Sequence, residues 1–168
     1  AQDAAQYRVA AVAQRGGHHR QQLGVNTRDD VRENHIDRRQ QWQVGARRVD
    51  LEHGLLEEKA KAAVILIRLD PDIIESQKQR DWGYDGIVAY SKICTHVGCP
   101  INLYEQTSHN VICPCHQSTF DLANNGQVIF GPAARNLPQL PLTVDDEGYL
   151  VAQSDFTEPV GPSYWERG

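Results

Sequence analysis

Apolar residues along this chain come in short bursts bounded by Gly, Pro and Asp, without the stripes of long helices. The run Ala63-Val64-Ile65-Leu66-Ile67 has the length and β-branched content of a strand. Asp70-Pro71-Asp72 ends it, and residues 73–80 read as one or two helical turns behind an Asp cap. Ile87-Val88-Ala89-Tyr90 predicts a second strand. Further short strands are predicted over 101–104, 111–113, 119–122, 127–130, 140–144 and 149–152. The turn Asp145-Asp146-Glu147-Gly148 would join the last two. Short strands at regular spacing with Gly/Pro punctuation imply an all-β fold, a sandwich or barrel of antiparallel sheets. No internal repeat is visible.

Residues 1–55 lack this texture. They are rich in Gln, Arg, Asp and Asn, and segments such as Arg15-Gly16-Gly17-His18-His19-Arg20-Gln21-Gln22 bury little apolar surface. The expected organisation is an irregular arm over 1–55 and a folded domain over 56–168. Residues 1–50 carry nine Arg, no Lys and six acidic side chains, against eight basic and sixteen acidic side chains in the rest. The net charge thus runs from about +3 to about −8, which makes the folded part a poor nucleic-acid binder. No apolar run reaches the roughly 18 residues of a membrane span. The chain has no Met, so Ala1 is expected to follow processing or to begin a fragment. Arg38-Arg39 and Arg47-Arg48 precede no apolar segment, which argues against a twin-arginine export signal.

The chemistry is concentrated in two stretches. All four cysteines fall in Cys94-Thr95-His96-Val97-Gly98-Cys99-Pro100 and Cys113-Pro114-Cys115-His116-Gln117-Ser118. Each stretch offers one Cys–His pair, spaced C-x-H and C-x-x-H, and one cysteine to spare. Two thiolates on one iron and two imidazoles on the other can hold a [2Fe–2S] cluster. The imidazoles raise its potential and can take up a proton. Zinc competes, because two Cys with two His, or four Cys, also suit that ion. The spare cysteines could close a disulfide between the loops. The other histidines, His18, His19, His35, His53 and His109, lack such paired spacing and read as surface or core residues.

The two stretches resemble the cluster-binding boxes of Rieske iron–sulfur proteins, C-T-H-x-G-C and C-P-C-H-x-S, and Gly131-Pro132-Ala133 resembles the family's proline loop. The resemblance implies a base of antiparallel sheets carrying a small cluster-binding subdomain over about 91–136. It implies that Cys94 and Cys113 bind one iron and that His96 and His116 bind the other, solvent-facing one. It also implies a Cys99–Cys115 disulfide, worth on the order of 3 kcal/mol for a loop of about 16 residues. Ser118 matches a serine that donates to a bridging sulfide. Val97 matches an apolar residue that shields the cluster and touches the quinone pocket, and Gly131 with Pro132 belongs to the covering loop. High-potential members carry tyrosine where this chain has Phe120. Phenylalanine cannot donate to a ligand sulfur, so a lower potential and menaquinol as donor are expected.

Beyond the boxes, Ala89-Tyr90-Ser91-Lys92-Ile93, Phe130-Gly131-Pro132-Ala133-Ala134-Arg135 and Leu137-Pro138-Gln139-Leu140-Pro141 are similar to one subgroup. So is the ending Gly161-Pro162-Ser163-Tyr164-Trp165-Glu166-Arg167. The subgroup is the soluble head of the Rieske subunit of actinobacterial-type menaquinol–cytochrome c reductases, the cytochrome bcc complex. The similarity starts at about Lys61. It implies electron and proton transfer from menaquinol at His116, then electron delivery to a c-type haem. The implied partners are a cytochrome b subunit and a dihaem c-type cytochrome, on the extracytoplasmic face of a bacterial membrane. The membrane anchor would be a segment missing from this chain. The small subunit of arsenite oxidase is the nearest alternative, since it shares C-P-C-H-x-S/T-x-F. Rieske ferredoxins and oxygenases typically lack the disulfide pair, and a zinc-binding interaction module is the non-redox alternative.

Overall fold

The computed structural model describes residues 63–144 and 150–166, together with three strands earlier in the chain. Those three are β1 (Tyr7–Ala13), β2 (Val44–Asp50) and β3 (Gly54–Leu55). Then come β4 (Ala63–Arg68), a 3₁₀ turn (Pro71–Ile73), helix α1 (Gln77–Asp81) and β5 (Ile87–Ser91). β6 (Leu103–Glu105), β7 (Asn110–Ile112), β8 (Thr119–Asp121) and β9 (Gln127–Phe130) follow. β10 (Leu142–Val144), β11 (Leu150–Ala152) and a 3₁₀ turn (Ser163–Glu166) complete the order. The expected all-β fold of antiparallel sheets is observed. The turn expected at 145–148 lies outside the described residues.

One sheet runs β10-β11-β1-β2-β4-β5 with β3 on β2, and the other is the meander β6-β7-β8-β9. The irregular arm expected over 1–55 is corrected here. β1 pairs along its length with β2 and reaches β11, while β2 pairs with β4 from Val44↔Leu66 to Arg47↔Ala63. The segments Tyr-Arg-Val-Ala-Ala-Val-Ala and Val-Gly-Ala-Arg-Arg-Val-Asp are compatible with strands, but their partners are distant in sequence. A composition averaged over Gln- and Arg-rich neighbours hides them. The remainder of that expected arm lies outside the described residues.

The apolar run of β4 is continuous because both faces of the strand are covered. Val64 and Leu66 pack with Ala89, Leu140, Leu142, Leu150 and Ala152. Ile65 and Ile67, on the opposite face, pack with Val88, Tyr90, Ile101, Val111, Phe120 and Leu122. Cys94 and Cys113 belong to this second cluster, so the boxes are rooted in the core that joins the two sheets. Gln79 of α1 strengthens the joint. Fully buried, it donates from Nε2 to Leu122 O at 2.6 Å, and its Oε1 accepts from Asn125 N at 2.8 Å. The expected helical region thus splits in two, with Asp70 capping the 3₁₀ turn and Ser76 capping α1.

Candidate metal centre

β5 runs directly into the first box. Ile101 N donates to Lys92 O at 2.8 Å and closes the loop at its base. Within it, Cys94 N donates to Cys99 O at 2.9 Å and Gly98 N to Cys94 O at 3.0 Å. The second box, between β7 and β8, repeats this pattern. Cys113 N donates to Ser118 O at 2.9 Å, and Gln117 N to Cys113 O at 2.9 Å. Gly98 and Gln117 hold the same left-handed place in their loops, at φ 85° and 60°. Cys94 and Cys113 are therefore equivalent in the two loops, whereas His96 and His116 are offset by one residue. That offset is the structural content of C-x-H against C-x-x-H.

The proline loop fastens the boxes together. Ala133 N donates to Ser118 Oγ at 3.1 Å, and Thr95 Oγ1 donates to Arg135 O at 2.6 Å. Gly131, at φ 89°, sits so close that an added Cβ would lie 2.6 Å from Ser118 Cα. Only glycine fits such a backbone approach. A bulge between Thr119 and Phe120 pairs Phe120 with Val128 and Thr119 with Phe130, which turns β9 outward into this loop. Ile129 and Phe130 are exposed as a result.

The expected ligands meet in two pairs. Cys94 and Cys113 are buried and lie close enough to influence one another. The His96 and His116 rings meet edge to face, with centroids 4.8 Å apart and planes at 89°. His96 is half-buried and His116 exposed. His96 Nδ1 is buried and has no hydrogen-bond partner among the described residues. Buried polar atoms are ordinarily paired, so this nitrogen is available to a metal. Burial pushes the Cys94 thiol up to about 11; the backbone N–H of His96 and the Ser118 hydroxyl oppose this, and nearby Cys113 adds to it. Donors aimed at this sulfur favour the thiolate that a metal requires. Two buried thiols and two paired imidazoles, one with a buried ring nitrogen that has no partner among the described residues, suit a [2Fe–2S] cluster by their donor chemistry.

The other expected residues are placed as follows. Cys99 and Cys115 are free thiols in the structure, so the expected bridge is not formed in it. Their sulfurs and that of Cys113 lie within 4.8 Å of one another. Hydrogen bonding with Cys99 is the largest influence that pushes the exposed Cys115 thiol up to about 11. Ser118 is buried, Val97 is exposed in the first box and Pro132 is exposed in the proline loop. Phe120 is fully buried in the cluster that contains Cys94 and Cys113. His109 is bonded away from the boxes, with its Nδ1 3.1 Å from Tyr104 Oη. The sequence reading missed Thr95, Gln117 and the bonding of Arg135. A polar residue flanked by ligands was the available signal for Thr95; nothing local marks Gln117 as left-handed.

Comparison with known proteins agrees with this geometry. Residues 42–141 match the family model described as Rieske [2Fe-2S] domain. The chain is 66% identical over 111 residues to the cytochrome bc1 complex Rieske iron-sulfur subunit of Streptomyces lividans, covering 66% of this chain and 65% of that one. The proteins of the same name from Corynebacterium diphtheriae and Mycobacterium tuberculosis are 58% and 50% identical, over 109 and 108 residues. Each alignment covers 62% of this chain, and 27% and 25% of the respective relative. The chain therefore spans under two thirds of the Streptomyces relative and about a quarter of the other two. Among solved structures, the soluble domain of Rieske protein II from Sulfolobus acidocaldarius is similar at 29% identity and a TM-score of 0.43, covering 46% of this chain and 44% of that one. With paired Cys/His boxes rooted in a shared core, a glycine-dependent proline loop between them and a family model that spans them all, this chain belongs to the Rieske [2Fe–2S] domain family.

Proposed function

We propose that Cys94 and Cys113 hold one iron of the cluster and His96 and His116 the other, and that the chain is the electron-carrying head of a menaquinol–cytochrome c reductase. The observation that carries the reading is the buried Nδ1 of His96, without a partner among the described residues, on a ring packed edge to face against that of His116. Bound there, the cluster supplies a one-electron acceptor. The protein's own groups do the rest. The exposed His116 ring accepts a hydrogen bond, and then a proton, from a quinol hydroxyl. Exposed Val97 gives the same tip an apolar surface for the quinone pocket of a cytochrome b subunit. Ser118, held by Ala133 N, keeps its hydroxyl proton for sulfur.

The Cys99–Cys115 disulfide belongs to the same proposal, supported by the proximity of the two sulfurs. Phe120 supports menaquinol as donor, because its buried ring offers no hydrogen bond to a ligand sulfur where a tyrosine would. The partners are a cytochrome b subunit and a dihaem c-type cytochrome on the extracytoplasmic side of the membrane. Relatives named as Rieske iron-sulfur subunits of the cytochrome bc1 complex support a place in a complex of that kind.

Iron and acid-labile sulfide counts test the ligand set. The reconstituted chain should hold two of each, as a [2Fe–2S] domain requires, and Cys94→Ser, His96→Ala, Cys113→Ser and His116→Ala should each lose them. Cluster assembly that tolerates both histidine substitutions would overturn the assignment. In the parent membrane complex, a menaquinol analogue should reduce the head, and His116→Leu should abolish that reduction.

A further inference from the structure

The C-terminal segment has no part in the function proposed so far, although its Gly161-Pro162-Ser163-Tyr164 stretch is one of the distinctive pieces of the sequence. Its hydrogen bonds follow an order. Thr157 N donates to Gln139 O at 3.0 Å, and Gln139 N donates back to Thr157 Oγ1 at 3.3 Å. Farther along, the Arg135 guanidinium donates to Pro159 O at 3.3 Å and to Gly161 O at 2.6 Å. At the end, Tyr164 Oη donates to Val97 O at 3.4 Å. The tail thus runs antiparallel to residues 135–139, from the large sheet towards the tip of the first box. Val160, Gly161 and Pro162 are buried along the way.

Arg135 connects the parts. Its carbonyl accepts from Thr95 in the first box, and its side chain grips the tail. Its Nε is buried and has no partner among the described residues, so the inner edge of the half-buried guanidinium lies within the joint. The peptide carbonyl that Tyr164 meets is next to His96. The first box is consequently held at two points, from below through Thr95 and Arg135 and from outside through Tyr164.

We infer that the C-terminal segment is a strap that positions the first box, with Arg135 and Tyr164 as its positioning residues, and that it limits solvent access to the His96 side of the centre. This rests on the ligand assignment above. Water reaching the centre favours the more negative, reduced state, so releasing the strap should raise the midpoint potential.

The test uses the full cluster-loaded chain and the variants Tyr164→Phe, Arg135→Gln and Arg135→Lys. Amide hydrogen exchange over residues 94–99 should quicken about fivefold in Tyr164→Phe, the loss of one ordinary hydrogen bond. It should quicken about tenfold or more in Arg135→Gln, where charge-assisted bonds go, with Arg135→Lys between wild type and that value. The potential should rise in the same order. Unchanged exchange, or faster exchange with an unchanged potential, overturns the positioning role. Should Arg135→Gln fail to fold, Tyr164→Phe decides alone, since its side chain is exposed. A parent chain that binds no cluster refutes the ligand assignment instead, and the exchange measurement still reports on the strap.

Discussion

Phe120 carries the finest distinction at the scale of single residues. Its ring is fully buried in the apolar cluster that holds Cys94 and Cys113. Phe120→Tyr would put a hydroxyl into that cluster, and with the proposed ligand set the midpoint potential should rise in voltammetry; an unchanged value would remove the argument for a low-potential donor. Gly131 makes a steric prediction. Alanine there meets the Ser118 backbone at 2.6 Å and needs a left-handed φ, so Gly131→Ala should cost at least about 1–3 kcal/mol in denaturant unfolding. Tyr90 makes a pH prediction. Burial, with Asp121 adding, holds its phenol well above the ordinary value. An unfolded tyrosine ionises near about pH 10. The folded state then keeps a proton that the unfolded state loses, so this contribution is complete below that pH and declines above it. Urea unfolding from about pH 9 to 11 should show the decline, and Tyr90→Phe should flatten it.

The boxes were legible in the sequence because their chemistry is local: ligand types, spacing and flanking Gly and Pro all lie within a few residues. Gln117 was not legible, because its left-handed backbone follows from copying the loop of the first box and not from its side chain. Arg135 was named only as part of a similar stretch; its bonds reach a tail more than twenty residues away.

Element by element, the strands written with clear turns around them were read well. β9 matches its expected bounds, and β5 extends the expected strand by one residue. β1 and β2 were missed because the strands they pair with lie well apart in sequence, β1 with β2 and β11 and β2 also with β4. The helical region was placed correctly but divides at Ser76, whose hydroxyl accepts from Gln79 N and starts α1 afresh. This short helix owes its position to Gln79, which ties it to the meander by two side-chain bonds. Gln79→Leu removes both bonds, leaving Leu122 O with the 3.4 Å bond from Tyr90 Oη and Asn125 N without its partner, at a cost of about 1–3 kcal/mol. Thermal or urea unfolding of the variant checks that figure. A neutral substitution would mean that the two sheets are joined by apolar packing alone.

On the scale of the whole molecule, the two sheets share the core in which the cysteines sit, and the imidazoles stand on its outer edge. That division keeps the sulfur side dry and leaves His116 facing solvent, an arrangement suited to passing an electron and a proton at one exposed point. No helix among the described residues is long and apolar enough to cross a membrane. The quinone pocket and haems of the proposed reaction belong to other subunits, so the chain alone should show no quinol–cytochrome c turnover in a stopped-flow assay. The proposed centre needs only this chain: two cysteines and two histidines of these loops would hold a [2Fe–2S] cluster. Electron paramagnetic resonance of the dithionite-reduced chain tests it most directly. A rhombic Rieske-type spectrum is the predicted result; a silent sample containing bound zinc would contradict it.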